Sequence, residues 1–420
     1  MSRGGLIALV VVLVVVAVLA LLIVRRQLYV RGLRSRGWRF VSSPVLEAVL
    51  DHRAPPFGLG FERSVDEEVT GMTRSGVPFR VLEYTAKEGG PPFDERIASL
   101  TLRVPLPELF VSTGALRTGV RQPLVPVDPA LQVQAADPGY ARGVLSAPVL
   151  AAVAAFGQAG HRLDLSVDGA HLVAVGAPKD PDELEAYLDA LAPVAVAIDP
   201  AALAGYAIAP TAPAFAFYGR PDWVLIGQDD TAITRYDLTT TGFGHTTEKV
   251  VRGDNDGLRV EGLVHRWKTE HTETSTDSEG RTQTRTVTDH HDEVLAAVTL
   301  PFEFPLLSVD GGRGGDRVQF ESEAFNDQFK VRSADSRFAY DVVHPRTMEF
   351  LMAVRPPGFR IEGRVMRFLV SQHDSELLGF CADFAHDFFS RVPSFVWDNL
   401  RVTPPPFRAP AVGVGSRATA

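Results

Sequence analysis

Three histidines stand among carboxylates in one polar stretch, KTEHTETSTDSEGRTQTRTVTDHHDE at 268–293. Threonines alternate along both arms and Glu279-Gly280 sits near the middle, the pattern of a long polar β-hairpin. A turn there brings His271 opposite the 286–290 region, where His290 or His291 with Asp289 or Asp292 would offer imidazole and carboxylate ligands to a divalent metal. Neighbouring residues of a strand face opposite ways, so at most one of His290 and His291 joins any cluster. Arms polar on both faces project into solvent, and no cysteine assists. The expectation is no metal and no cofactor, with His271, His290 and His291 as the residues that would build a centre if one existed. Such an arm is better suited to docking a protein partner.

Other candidates read as structure. Asp94-Glu95 and Asp292-Glu293 are paired carboxylates that could divide acid and base duties. Sequence neighbours on a strand face apart, however, and the pair recurs as a strand-entry feature would. Gly311-Gly312-Arg313-Gly314-Gly315 lacks the Lys-Ser/Thr ending of a phosphate-cradling loop and fits a turn after the strand at Leu306–Val309. Cys381, the single cysteine, lies in the apolar helical stretch LLGFCADFAHDFF, where it is a small core hydrophobe; His386 does not share its helix face. No Gly-x-Ser-x-Gly elbow occurs.

The elements that carry these residues begin with an anchor. Leu6 to Val24 is an unbroken run of Leu, Ile, Val and Ala, and nineteen residues at 1.5 Å each reach roughly 28 Å, close to the hydrocarbon thickness of a bilayer. A cleaved signal peptide would be shorter and end at small residues, whereas this run stops at Arg25-Arg26. Residues 1–5 form a short tail, 6–24 a transmembrane helix and 25–39 a basic juxtamembrane segment. Arg25, Arg26, Arg31, Arg34, Arg36 and Arg39 follow the span and are expected at lipid headgroups. The same arginines hold the body on the cytoplasmic side of the inner membrane, with the amino terminus outside.

The body itself is acidic. The 420 residues carry a net charge of −9, and residues 1–39 hold seven arginines and no acid, which leaves −16 beyond them. That surface lacks the clustered cations by which proteins displace counterions from nucleic acid, so no nucleic-acid partner is expected. A hydrophobic content of 45% with 25 phenylalanines argues for packed cores.

A duplication lies inside the body. Asp94 to Val111 (DERIASLTLRVPLPELFV) aligns with Asp292 to Val309 (DEVLAAVTLPFEFPLLSV) at an offset of 198, with eight of eighteen positions identical; ordinary residue frequencies give about one. The offset continues through Ala136-Asp137 with Ala334-Asp335, and through Gly160, Arg162 and Val167 with Gly358, Arg360 and Val365. Upstream, Phe57-Gly58 pairs with Phe243-Gly244 at 186, which places about twelve extra residues in the polar hairpin. The predicted fold class is α+β: a transmembrane helix, then two copies (40–199 and 222–400) of an antiparallel sheet covered by helices on one face. Asp137 and Asp335 are predicted helix N-caps, and Asp182–Ala192 and Glu376–Phe389 closing helices. An Ala/Pro-rich linker, 200–221, joins the copies; Pro210 and Pro213 argue against a second span. The 401–420 tail, with Thr403-Pro-Pro-Pro-Phe407, is expected to be disordered or polyproline-like.

The basic collar running into Gly37-Trp38, the Pro56-Phe57-Gly58 turn, Gly76-Val77-Pro78-Phe79 leading to Glu83-Tyr84, Leu106-Pro107, and Phe325-Asn326 before Phe329-Lys330-Val331 carry a resemblance. With these features the chain resembles uncharacterised single-pass membrane-anchored bacterial proteins of actinobacterial type. The resemblance implies the architecture and no functional residue. The functional expectation is a membrane-tethered interaction or scaffold module without catalytic activity; the alternative is a metal-dependent enzyme using the hairpin histidines.

Overall fold

The structure, a computed structural model, describes residues 3–87, 92–114, 120, 122–276, 282–312 and 314–407, with the side chains of 3–15, 19, 276 and 283 left out. The chain divides into two compact units, Met1–Gly219 and Arg220–Ala420. Both are α+β and each contains one antiparallel sheet.

Unit 1 opens with a continuous helix α1 (Arg3–Ser35) that leads into β1 (Arg39–Val41). Then come β2 (Glu62–Met72), β3 (Pro78–Lys87), β4 (Phe93–Ser112), β5 (Gln132–Ala135), α2 (Pro138–Val144), α3 (Ala147–Gln158), β6 (Asp164–Val175) and α4 (Pro181–Ala197). The strand order is β1-β2-β3-β4-β5, with β6 also paired to β4. Strand alternation sends Leu100, Leu102 and Val167 to one face, where Val149, Val153 and Phe156 of α3 and Leu184 and Leu188 of α4 bury against them. Leu33 at the end of α1 is fully buried in the same core.

Unit 2 repeats the plan. Its elements are β7 (Val224–Gly227), α5 (Thr231–Arg235), β8 (Phe243–Asn255), β9 (Leu258–Thr276), β10 (Thr282–Val309), β11 (Asp316–Val318), α6 (Glu323–Gln328), β12 (Val331–Ser333), α7 (Ser336–Val342), α8 (Pro345–Val354), β13 (Phe359–Leu369), α9 (Ser375–Phe389) and α10 (Ser394–Leu400). The order is β11-β12-β10-β9-β8-β7, with β13 paired to β10. The closing helix α9 buries Cys381, Phe384 and Phe388, so the lone thiol is core packing; burial pushes it far above its usual range.

The two sheets match residue by residue. Leu109 faces Val167 and Ala135, as Leu307 faces Ile361 and Ser333. Both long central strands bulge at the same place, where Leu106 meets Gly169 and Phe304 meets Gly363, and the two glycines hold φ of 57° and 58°. A left-handed residue there is open to glycine without the Cβ penalty. Pro107 and Pro305 fall inside these irregularities, where a missing N–H costs no ladder bond. Asp137 and Asp335 cap α2 and α7 as predicted, each accepting two backbone N–H groups at one carboxylate oxygen.

This register corrects two alignments. Beyond the bulge the offset is 194, so Val167 corresponds to Ile361 and not Val365, and His171 is the residue that corresponds to Val365. Ahead of the hairpin, Gly60 and Gly242 are the equivalent pair, both at positive φ and both pressed against the carbonyl of a lysine, Lys87 or Lys268. The offset on β3 and β9 is 181, so the second hairpin is longer by seventeen residues rather than twelve. A short apolar dipeptide matches at several spacings, whereas ladder register admits one.

Among the described residues no single helix is long and apolar enough to cross a membrane. The expected span, 6–24, falls within α1, but most of its side chains lie outside the described residues. α2 and α3, bent by 68° to each other, are together long and apolar enough to span a bilayer, yet Tyr140, Val144, Val149, Val153 and Phe156 bury them in the core of unit 1. The first part of the tail, expected to be disordered or polyproline-like, has no helix or strand over 402–407, and Phe407 packs on Phe302, Phe389 and Trp397, with centroids 5.7–6.2 Å apart. The remainder, 408–420, lies outside the described residues.

Candidate functional site

The longer helices of each unit cover one face of its sheet. On the other face of the first sheet lies the 42–61 connection between β1 and β2, here called the strap, which contains a 3-10 turn at Leu46–Val49. Val49 and Phe57 bury against Val65, Leu82, Tyr84 and Ile97 of the sheet. Polar contacts fasten it further. The buried carboxylate of Asp168 on β6 accepts the backbone N–H groups of Arg53 (2.7 Å) and Ala54 (2.9 Å). The Tyr84 hydroxyl donates to the Phe57 carbonyl at 3.1 Å.

At the centre of the strap is a closed ring of four side chains. Asp51 Oδ1 meets His52 Nδ1 at 2.8 Å, and Asp51 Oδ2 meets His171 Nε2 at 3.0 Å. The other two ring nitrogens, His52 Nε2 and His171 Nδ1, converge on Ser99 Oγ at 3.1 and 3.2 Å. The imidazoles stack between the carboxylate and the hydroxyl, centroids 4.3 Å apart and 18° from parallel. Burial alone would raise the Asp51 carboxyl, but hydrogen bonds from His171 and His52 outweigh it and hold it far below the usual carboxylate range.

The four contacts set the hydrogen count of a fully bonded ring. Four hydrogen bonds need four hydrogens. A carboxylate supplies none and a serine hydroxyl supplies one, so the two imidazoles carry three between their four nitrogens. A ring with all four hydrogen bonds made therefore holds one imidazolium and one carboxylate and is neutral as a whole.

Two familiar chemistries do not fit this geometry. Asp51, His52 and His171 are, among the described residues, the one group of three or more His, Cys, Asp or Glu whose candidate ligand atoms lie within 4.8 Å of one another. An imidazole nitrogen holds a metal in its own ring plane, however, and two nearly parallel rings 4.3 Å apart have side-by-side lone pairs that no single ion satisfies. Ser99 with histidine and aspartate also invites comparison with a nucleophile triad. It sits in the middle of β4, between Arg80 on β3 and Val173 on β6, where strand pairing occupies the backbone that would otherwise form an oxyanion hole. At 6% exposure its hydroxyl is closed to an acyl substrate. What the ring can do is hold a proton and join the strap to β4 and β6.

The corresponding connection in unit 2 is fastened by fixed charge. Arg235 of α5 and Arg252 of β8 each bridge Asp229 and Glu261, with N–O distances from 2.5 to 2.9 Å. Hydrogen bonds from Thr231, Arg235 and Arg252 hold Asp229 well below the carboxylate range. The hydrogen bond to Glu261 raises Arg252. Where unit 1 has Ser99, unit 2 has Ala297, buried against Tyr236 and Leu238.

The hairpin residues fall out differently from a metal centre. The β9–β10 ladder runs from Arg259–Thr299 to Thr276–Thr282, and Glu279-Gly280 lies outside the described residues. His271 pairs across to Val287 and its Nδ1 meets Asp289 at 2.8 Å, an exposed contact that raises the imidazole's pKa. His290 and His291 face opposite ways, as strand alternation demands. His291 bonds Thr269 Oγ1 at 2.7 Å and stacks on Trp267, itself stacked on the buried His265. His271, His290 and His291 are not brought together. The paired carboxylates also separate: Glu95 bonds Arg162, and Asp94 accepts from Thr85.

In the basic collar, Arg25, Arg26, Arg31, Arg34 and Arg39 are exposed. Arg36 is not a free headgroup contact, because Glu185 (2.9 Å) and Asp182 on α4 take its guanidinium. At 1.5 Å per residue it also stands roughly 18 Å along the helix from Val24.

No family model matches the chain, and no curated protein matches it. Among solved structures, the mycobacterial trehalose monomycolate transport factor A, TtfA, is similar over 40% of this chain and 91% of that one, at 12% identity and a TM-score of 0.30. A likeness of that size carries no argument about this chain.

Proposed function

We propose that this protein is a membrane-tethered interaction module: the first part of α1 lies in the bilayer, unit 1 follows directly on the cytoplasmic side, and the hairpin arm of unit 2 docks a protein partner. The carrying observation is on α1. Val16, Val18, Leu21, Leu22, Ile23 and Val24 are each at least half exposed and point all round the helix. Left in water, each such side chain forgoes about 1.5–3 kcal/mol of burial, which lipid would supply. The end of the same helix belongs to unit 1: Leu33 is buried, the Tyr29 hydroxyl accepts from Arg96 at 2.9 Å, and Arg36 pairs with α4. Arg25 and Arg26 stand between these two environments, where anionic headgroups would meet them. The arm supports the docking half of the reading, since Thr272, Thr274, Thr284 and Thr286 face solvent on one side and Glu273 and Arg285 on the other.

The full chain is expected to stay with the membrane pellet after an alkaline wash, and a Leu21→Glu/Leu22→Glu variant to shift toward the supernatant. Wild-type chain in the supernatant would end the tether reading. A reporter fused at the carboxyl terminus is expected to be active on the cytoplasmic side. Photocrosslinkers at Thr274 and Thr284 should give a discrete product that is lost when residues 269–291 are replaced by a short turn; an unchanged product excludes the arm.

A further inference from the structure

We propose that the Asp51–His52–Ser99–His171 ring is a proton-operated latch, and that losing one proton from it releases the middle of the strap from β4 and β6. The hydrogen count makes the ring all-or-none. With four hydrogens every contact is donor to acceptor. With three, one imidazole nitrogen faces an oxygen of Ser99 or of Asp51 lone pair to lone pair. Water reaches the outer edge of the ring at Asp51 (31% exposed) and His171 (17%) but has little access to its inner side, where the His52 side chain is 1% exposed and Ser99 6%. An unpaired buried polar group is costly at low effective dielectric, so relief comes from the strap moving away.

The neighbours bear on the direction of the effect. From β6, Asp168 faces both imidazoles, is raised by its own burial, and holds Arg53 N and Ala54 N. Glu108 on β4 is raised by burial and then by Asp168. On the strap, the Arg53 guanidinium is spent on the carbonyls of Ala212 and Ala214. From β3, Arg80 donates to the Ala48 carbonyl and pairs with Glu68 of β2. Acids surround the ring, and the nearby cations are already engaged. The latch is therefore closed at the acid end and opens as pH rises. It stands apart from the membrane reading and does not need it.

The test is hydrogen exchange followed by mass spectrometry on the full chain in a membrane mimetic. It runs from about pH 5 to about pH 9, the span in which histidine is the ordinary side chain that changes charge. The 228–242 connection of unit 2, held by arginines, is the internal reference. Peptides covering 46–58 are expected to lose about tenfold more protection than those of 228–242 across that span, and Ser99→Ala to abolish the difference. Alanine already occupies the equivalent position in unit 2. Equal loss in the two connections, or a difference that survives in Ser99→Ala, overturns the latch. Should that variant not fold, nitrogen NMR of wild-type chain labelled in histidine decides. Three protonated nitrogens shared by His52 and His171 falling to two in one joint step supports the ring, and two independent one-proton steps refute it.

Discussion

The outer faces of the two sheets solve one mechanical problem with different chemistry. Each must hold an irregular connection, between β1 and β2 or between β7 and β8, against strands whose other face is packed with helices. Unit 1 uses Asp51, two stacked imidazoles and a hydroxyl anchored on β4 and β6. Unit 2 uses Asp229, Arg235, Arg252 and Glu261, anchored on β8 and β9. Both rings are neutral overall and both close on themselves. The arginine ring is made of groups held further into their charged forms, whereas the histidine ring closes only with one particular proton count. Duplication preserved the sheet and left the fastening free to diverge.

The sharpest way to break this comparison is Glu261→Ala. Its side chain is 1% exposed between two guanidiniums that are 34% and 22% exposed and keep Asp229 as a partner, so removal takes away two charge-assisted hydrogen bonds and should destabilise unit 2 by about 3 kcal/mol. Urea unfolding followed by tryptophan fluorescence reads it, since Trp223, Trp267 and Trp397 belong to unit 2 and Trp38 alone to unit 1. A loss below about 1 kcal/mol would mean that the ring does not hold the unit.

Acid should separate the units by a second route. His373, which bonds the Lys249 carbonyl at 2.8 Å, is pushed down to about 4 by burial. Its folded value is below its unfolded one, so its contribution is present above about pH 6.5 and is lost as pH falls toward 4, roughly 3 kcal/mol in all. Asp51 is also depressed, but its contribution in unit 1 is lost only as pH falls below the ordinary carboxylate range. Fluorescence-detected stability should therefore decline between pH 6.5 and 4, and His373→Gln should flatten the slope; an unchanged slope removes His373 as its cause.

Smaller changes sharpen the contrast. Asp168→Ala strands the amides of Arg53 and Ala54 and is expected to cost unit 1 about 2 kcal/mol, read as a lower thermal midpoint, with Asp168→Asn milder. Ala297→Ser puts a hydroxyl into the apolar cluster of Tyr236, Leu238 and Leu263 and should cost about 1–3 kcal/mol. Ser99→Ala, the mirror change, should cost about 1 kcal/mol near neutral pH. Equal effects of the two serine–alanine exchanges would show that the faces differ less than their geometry indicates.

The sheets and helices were legible because their causes are local or periodic. Asp137 and Asp335 announced their helices by capping chemistry, and the strand read at Leu306–Val309 falls within β10. The histidine ring was not legible. Asp51-His52, Ser99 and His171 stand far apart in the chain, each inside an apolar or turn-like context, and Ser99 lies within the very block whose match to Asp292–Val309 signalled repetition, opposite a non-identical Ala297. His271, His290 and His291 are close in sequence, yet His290 faces away from the other two, and His271 stands four residues along the ribbon from Trp267, the partner of His291.

By itself the sequence determined the apolar character of 6–24, the two α+β copies and the polar arm, because composition, periodicity and self-similarity are properties of a chain read in order. Tertiary structure alone decided the register beyond the bulges, the use of Arg36 within the fold, the packing of Phe407, and above all which four side chains close a ring. Those depend on how strands of fixed spacing bring distant residues within hydrogen-bonding distance, and no local pattern encodes that distance.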